Sequence, residues 1–508
     1  VTAFYRLFVT AFAVMLASCA QDGATGDIRP PDGRDEPNAP AKLRIFLSDH
    51  ALAVPDNVDQ YIDYMNRQAN VELQMTFIPH SQYLNQIQLK FAGGDFPDVY
   101  QSWSAPSQEL INGDKVHVLN GLIERYGPNL KKNITEAAWD SVTVKGQIFA
   151  IPQPSETLQG SVLYIRKDWL DKLGLSAPTS SDELLDVMRA FRDRDPNGNG
   201  LKDEIPFTMR EKLEWGENIF GMWGVGSKFT ETYENGELLL GSVHPRYLDG
   251  LRYMNRMYME GLLDNEFLMN TMSVWDQKIK SGRVGIWAHA PRAAGTWQQA
   301  LEQSVPEQEP EVIAIKTPRG VGYAGPIGTR WSPTAKTFIL MKTEADPAKT
   351  IQYFDWLFSE EGRFFAENGV EGVTYRREDG RLQYDVSRNA DIEFIQRNFA
   401  AHGMDEQLGS GTMTDDRIRE KLSIAFAVAN SQGFVNETVG MPNIDNDYGL
   451  HSEFIEHAAL VMIGERTTED YERFVEEWKR NGGQSFIDER TAWYKENRLV
   501  SGGQEQSP

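Results

Sequence analysis

Cysteine is almost absent. Cys19 is the one thiol in 508 residues, so no disulfide forms within the chain and no paired-cysteine metal or redox motif exists. Histidine is scarce, with eight in all. None sits in an H-E-x-x-H pattern, and the spacing of His451 and His457 does not put them on one helical face. There is no G-x-S-x-G elbow and no Walker A loop, and "GMWGVG" (221–226) lacks dinucleotide-binding spacing. Basic residues are outnumbered, 51 against 74 acidic, for a formal charge of -23. A field of that sign repels phosphates, which argues against nucleic acid as a partner while leaving room for a local basic pocket. The 74 acidic residues guarantee coincidental carboxylate pairs, so no pair among them points to glycoside hydrolysis. With no catalytic pattern in sight, the expectation is a protein that is not an enzyme.

Long apolar runs are also missing, except near the start. "VTAFYRLFVTAFAVMLASCA" carries one charge, Arg6, then an apolar run from Leu7 to Leu16 and small residues ahead of Cys19. That is the layout of a secretory signal, residues 1–18, too short for a stable membrane span. The ending Leu16-Ala17-Ser18-Cys19 resembles the lipobox of bacterial lipoproteins, which makes Cys19 the lipidation site. The expected location is the cell surface or periplasm, held to the membrane by lipid. Ala20 to Pro40 is rich in Gly, Pro and Asp and cannot bury a core, so 19–40 reads as a flexible tether. Residues 501–508 read as a disordered tail.

What remains is too long for one core, and two or more domains are expected. "AKLRIFLS" (Ala41–Ser48) and "VELQMTFIP" (Val71–Pro79) read as strands around a helix from Val58 to Gln68. Strand, helix, strand over so short a stretch is a βαβ unit, the building block of parallel sheets. "GGDFPDVYQS" turns on glycine into a strand at Asp98–Gln101. From Ser161 the pattern returns: "SVLYIRKDWLDKLG" is a strand and a short helix stopping at Gly174. Ser180 and Glu183 then form a capping box ahead of the stripe Leu184, Leu185, Val187, Met188 and Phe191. "RVGIWAH" (Arg283–His289) and "TFILMK" (Thr337–Lys342) are buried strands. "ADPAKTIQYFDWLFSEEG" is a helix capped by Asp346, with Pro347 at its first position and Gly362 at its end.

The stretch "RDPNGNGLKDEIP" (Arg194–Pro206) crowds oxygen side chains around two glycines. Asp195, Asn197, Asn199, Asp203 and Glu204, with the Leu201 carbonyl, supply the donors a hard cation takes, and calcium is favoured by all-oxygen chemistry. Pro206 stands where an EF-hand has its closing Glu, so the loop is not a true EF-hand. The plainer reading is a solvated Asx-rich turn after a helix.

Long stretches resemble a known family. "YIRKDWLDKLGLSAPTSSDELLDVMRAFRDRDPNGNGLKDEIPFT" is similar to the signature region of extracellular solute-binding proteins of ABC importers, family 1, and within it to the oligosaccharide- and alginate-oligosaccharide-binding lipoproteins. "FAGGDFPDV", "VKGQIFAIP" and "YFDWLFSEEGRFFAENGVEGVTY" resemble its glycine turn, hinge approach and late helix. The resemblance implies an α/β, two-lobed periplasmic-binding-protein fold (type II) with a hinge and an interlobe cleft. It places the amino-terminal lobe at 41–159 plus 316–372 and the carboxyl-terminal lobe at 160–315 plus 373–500. It also makes the Asp195–Glu204 loop a structural calcium site. The implied partners are an oligosaccharide and the membrane permease, with the chain acting as a monomer.

Sugars need flat aromatic faces and polar side chains in a cleft, and α/β clefts form at strand ends. Trp103, Trp223, Trp287, Arg292 and Trp331 are the ligand-binding candidates, with core packing the rival for each tryptophan. Were the sugar acidic, Arg292 or Arg330 would meet its carboxylate. Three rivals to the oligosaccharide receptor are a binding protein for peptides or another solute, a secreted carbohydrate-active enzyme, and a lipid-anchored adhesion or scaffold module.

Overall fold

Ala41–Ser48 (β1) is a strand buried at Leu43, Ile45, Phe46 and Leu47, apolar on both faces, as a strand inside a parallel sheet must be. The computed structural model describes residues 39–496, apart from 51, 156–159, 229–230, 330–332, 379–380, 400–414, 435–437, 439–440 and 442–446. Cys19, the signal and nearly all of the tether, the tail, Arg330 and Trp331 lie outside the described residues.

Eight further strands build two sheets: β2 (Val71–Ile78), β3 (Val99–Ser102), β4 (Ile151–Pro154), β5 (Val162–Arg166), β6 (Ile205–Thr208), β7 (Val284–His289), β8 (Val312–Ile315) and β9 (Thr334–Leu340). The first sheet has the order β2-β1-β3-β9-β4 and the second β8-β5-β7-β6. β1 runs parallel to β2, from Ala41 opposite Val71 to Ser48 opposite Ile78, and parallel to β3. The crossover is helix α1 (Val58–Ala69), which buries Tyr61 and Met65 at i and i+4 and ends at Asn70 in the left-handed conformation. In the second sheet β7 and β6 are parallel, with Trp287 opposite Thr208. Each sheet carries its own apolar cores, and the architecture is the two-lobed α/β fold.

Helix α2 (Lys167–Leu173) stops at Gly174 in the left-handed conformation, and helix α3 (Ser181–Asp193) carries the Ser180–Glu183 capping box. The expected stripe of α3 is buried from Leu184 to Phe191. Gly285 admits it: a Cβ there would come within 2.4 Å of the Phe191 ring and 2.9 Å of Trp169.

The structure corrects two expectations. Gly362 does not end the helix that starts at Pro347. That helix, α4 (Pro347–Leu357), stops first, and Ser359 caps a new one, α5 (Glu360–Asn368), by accepting the Gly362 N–H at 3.1 Å. Gly362 is needed for close approach, since a Cβ would sit 2.1 Å from the Trp356 carbonyl oxygen. The lobe boundaries at 316 and 372 also move. Thr317 and Gly320 pack on the second lobe through Asn218 and Trp223. Helix α6 (Asn389–Asn398) belongs to the first lobe, where Phe394, Ile395 and Phe399 join the core and Tyr61 donates its hydroxyl to Asp391 at 2.7 Å. The late helices lack a periodicity that names their partner, so the sequence alone leaves their lobe unassigned.

The chain therefore passes between the sheets three times, after β4, before β9 and after α6. A buried polar knot ties the first two of these crossings. The Ser161 hydroxyl donates to Asn218 Oδ1 at 2.7 Å, and Thr329 accepts the Ser161 N–H at 2.8 Å. Asn218 donates to Thr317 at 2.9 Å, and Gln432 accepts the Thr317 N–H at 2.8 Å. The hydroxyls of Ser161 and Thr329 and the Asn218 amide are satisfied within it, while Gln432 Nε2 is buried with no hydrogen-bond partner.

Candidate functional site: a cleft at the strand ends

Parallel strands send their carboxyl ends to one edge of a sheet, and the loops there build α/β clefts. In the first lobe those loops deliver His50 after β1, His80 after β2 and Trp103 after β3. The three rings pack as one wall. His80 stacks on His50 at 5.7 Å, and Trp103 stands edge-on to His80 at 5.7 Å and to His50 at 6.5 Å. Tyr83 braces Trp103 from behind at 5.4 Å while donating its hydroxyl to the Gln101 carbonyl at 2.7 Å. Ser48 Oγ lies 2.9 Å from His80 Nδ1, and Asp49 accepts the His80 N–H at 2.8 Å. His50 holds a left-handed backbone, φ 51°, unusual away from glycine.

The second lobe presents the ends of β6 and β7. His289 closes β7 and accepts the Trp297 indole N–H at Nδ1, 3.1 Å away. Trp215 stands edge-on to it at 4.5 Å and stacks on Trp275 at 6.4 Å. Arg210 follows β6 and opens a turn whose N–H is held by the Glu214 carbonyl at 2.9 Å. In that turn Lys212, Leu213 and Trp215 all take left-handed backbones, at φ 57°, 61° and 61°. Three such residues in four positions store strain, and strain of this kind gathers where a side chain must be aimed.

The histidines report that these edges face each other. Burial drives His50 down to about 2, helped by Lys336 and Arg397 of its own lobe. His80 is lowered by burial too, with Arg210 of the other lobe and Arg397 contributing against Asp49. Burial brings His289 down to about 3, and Arg292, Arg397 and Arg210 act in the same sense. Lys336 is itself lowered to about 7 by burial and by Arg397, whose carbonyl accepts its ammonium at 2.7 Å. The histidines are thus neutral donors and acceptors at physiological pH, with Arg210, Arg292, Arg397 and Lys336 among the charges that act on them.

The ligand-binding candidates divide. Trp103 packs into the first lobe's wall of rings and Arg292 acts on His289, both half-buried. Trp287 does not: it is 0% exposed and stacked on Tyr164 at 6.0 Å in the core of the second lobe. Trp223 is also interior, tilted against Tyr253 at 5.4 Å and donating its indole N–H to the Val321 carbonyl. Gly320 is small so that Trp223 can lie against it, where a Cβ would come within 2.4 Å of the ring. Trp287 was expected at a strand end and Trp223 in a glycine turn; Trp287 lies on a strand buried on both faces, and both side chains point into the lobe. Trp331 lies outside the described residues. His50, His80, Arg210, Trp215, His289, Lys336 and Arg397 went unnamed in the sequence, although "LSDH" and "FIPH" place two of them just past predicted strands.

The Asp195–Glu204 loop sits at the other end of β6. Gly198 and Gly200 take φ of 73° and 76°, and Asp195 takes 46°. Asp195 accepts the N–H groups of Asn199 and Gly200 at 3.1 and 3.0 Å, and the amides of Asn197 and Asn199 donate to Asp203 at 3.2 and 3.0 Å. Among the described residues no group of three or more His, Cys, Asp or Glu side chains is gathered to hold a metal ion; in this loop the acids are interleaved with amides and a carbonyl. Glu204 Oε1 is buried with no hydrogen-bond partner. Burial, with the charges of Asp195 and Asp203, pushes its carboxyl up. An orphaned carboxylate oxygen beside two more acids fits an oxygen-seeking cation.

The sequence profile of the bacterial extracellular solute-binding protein family matches residues 49–364. The polygalacturonan/rhamnogalacturonan-binding protein YtcQ of Bacillus subtilis (strain 168) is 24% identical, over 96% of this chain and 98% of that one. Lipoprotein LipO of the same organism is 22% identical, over 87% and 90%. Among solved structures, the alginate-binding protein AlgQ2 without calcium ion superposes with a TM-score of 0.71 at 21% identity, covering 90% of this chain and 98% of that one. The Streptococcus pneumoniae ABC-transporter substrate-binding protein FusA in complex with kestose gives 0.68 at 18%, covering 90% and 100%. A match across this much of the sequence, on a two-lobed fold with its cleft at the strand ends, makes the chain a member of the bacterial extracellular solute-binding protein family.

Proposed function

We propose that the chain is the substrate-binding receptor of an ABC importer, capturing an oligosaccharide between its lobes and presenting it to the membrane permease without chemistry of its own. The observation that carries this is the cleft: aromatic faces at Trp103 and Trp215, interleaved with neutral histidines, on opposing edges joined by three crossings. Ring faces suit sugar C–H surfaces, and imidazole and indole N–H groups suit hydroxyls. The relatives named for the sugars they bind point the same way. A ligand that touches both edges favours the closed arrangement by its differential affinity, and closure gives the permease a shape to recognise.

Two further roles belong to this reading. Asp195, Asn197, Asn199, Asp203, Glu204 and the Leu201 carbonyl would hold a calcium ion, which supplies charge neutralisation and stiffening of the second lobe. Cys19 would carry the lipid that keeps a monomeric receptor beside its permease. Calorimetric titration of the soluble chain with a panel of neutral and acidic oligosaccharides tests the main reading. Saturable one-to-one heat with the sugar recovered intact is expected; heat that continues in proportion to sugar consumed means turnover and replaces the receptor with an enzyme.

A further inference from the structure

Arg210 is the anomaly of the cleft. Its turn is pinned by its own N–H on the Glu214 carbonyl and by the Glu211 N–H on the Asn270 carbonyl at 3.0 Å. Its Nε is buried with no hydrogen-bond partner, and among the described residues no carboxylate pairs with its guanidinium. The first lobe buries Lys336 to 3% exposure, its ammonium on the Arg397 carbonyl and 5.5 Å from the centre of the Phe338 ring. Arg292 adds a further cation beside His289. The acid that the first edge supplies, Asp49, is engaged by the His80 N–H.

A guanidinium with a donor out of reach of water and without an anion is costly, and like charges gathered near it raise that cost. A neutral sugar would leave the Arg210 guanidinium uncompensated, whereas a carboxylate matches the planar fork of arginine with two parallel hydrogen bonds. The chain's overall charge of -23 does not oppose this inside the cleft, since exposed charges beyond about 8 Å are screened at physiological salt.

We propose that the solute is an anionic oligosaccharide of the uronic-acid class, one of whose carboxylates seats on the Arg210 guanidinium facing the Lys336–Arg397 corner of the first lobe. This rests on the oligosaccharide reading above and narrows it to a charge class.

The test titrates the calcium-loaded soluble chain with tetragalacturonate, its fully methyl-esterified form, a chondroitin sulfate tetrasaccharide, and the neutral maltotetraose and nystose. The acid is expected to bind, the ester to bind roughly ten- to hundredfold more weakly, and the acid's affinity to fall with added salt. Arg210→Gln should lower affinity for the acid by a similar factor with the unfolding temperature unchanged, and Arg210→Lys should recover part of it. Lys336→Met is the second variant and should weaken the acid alone. An ester that binds as well as the acid, or a neutral sugar that binds while the acids stay silent, overturns the charge assignment and leaves oligosaccharide capture standing. Preference for the sulfated sugar over the uronate overturns the carboxylate seat. Silence toward every saccharide removes both this proposal and the reading beneath it.

Discussion

The short strand β6 has charge of one sign at each end. Ahead of it, Asp195, Asp203 and Glu204 crowd oxygens into one loop; behind it, Arg210 joins cations from both lobes. The loop is built from consecutive residues, so its backbone closes it: Asp195 and Asn199 accept the very N–H groups that shape the turn. The cleft draws on residues from His50 to Arg397, and only the packing of two sheets brings them together. On the proposed reading a cation loads the loop with little motion of the fold, whereas the sugar draws together the two edges of the cleft. A change in the loop should therefore read out as stability, and a change in the cleft as affinity.

The largest expected effect tests the boundary between cleft and core. Trp287→Ala removes a fully buried ring and should cost about 3–5 kcal/mol of stability in chemical denaturation, with the folded fraction binding sugar as before. Loss of affinity without loss of stability would return Trp287 to the cleft. Next comes calcium. A chelator should lower stability by about 2.7 kcal/mol relative to calcium at a hundred times its Kd, seen as a lower unfolding temperature, and Glu204→Gln should abolish that difference. Sugar preference should survive both. If the chelator leaves the unfolding temperature unmoved, the loop is a solvated turn and the contrast with the cleft collapses. Smaller again is Trp103→Ala, which should weaken sugar binding by roughly 0.5–1.5 kcal/mol and change stability little, since the ring is half-exposed at a strand end.

The same contrast explains what could be read from the residues. β1, α1, β2 and the capping box at Ser180 were legible because each is a local pattern: alternation, a 3.6-residue stripe, a cap three residues from its partner. So was the donor set of the loop. Gly362 misled because a glycine near a helix end usually stops it, while here it lets α5 pack under the Trp356 carbonyl. Trp287 misled because a strand position gives a side chain's direction only once the sheet's faces are known. Helix α6 belongs to the first lobe through contacts with Phe77 and Tyr61 made across some three hundred residues of chain, which no window of sequence contains. Of the four basic residues near the cleft only Arg292 was named from the sequence; Arg210, Lys336 and Arg397 were unremarkable among 51.

The subtlest expected effect is that of pH, and it isolates Lys336. A lysine normally titrates near 10.4, and burial with Arg397 brings this one down to about 7. Between about 7 and that ordinary value the unfolded chain binds a proton at this lysine that the folded chain does not, so the lysine's contribution to stability should rise with pH across this window and be flat below it. Ligand affinity runs the opposite way. A carboxylate beside Lys336 favours the ammonium, so binding above pH 7 must take up part of a proton, and affinity for an acidic sugar should fall a few-fold between pH 7 and 8. His50 and His289, neutral in the folded chain above about 2 and 3 respectively, add no slope to affinity between pH 5 and 6.5, while stability itself should fall as pH drops below about 6.5, where the unfolded imidazoles take up protons. Titrations in two buffers of different ionisation enthalpy measure the proton uptake directly. In Lys336→Met the uptake should vanish; if it persists, another group carries it, and the first lobe's contribution to the anion seat lies elsewhere than on this lysine.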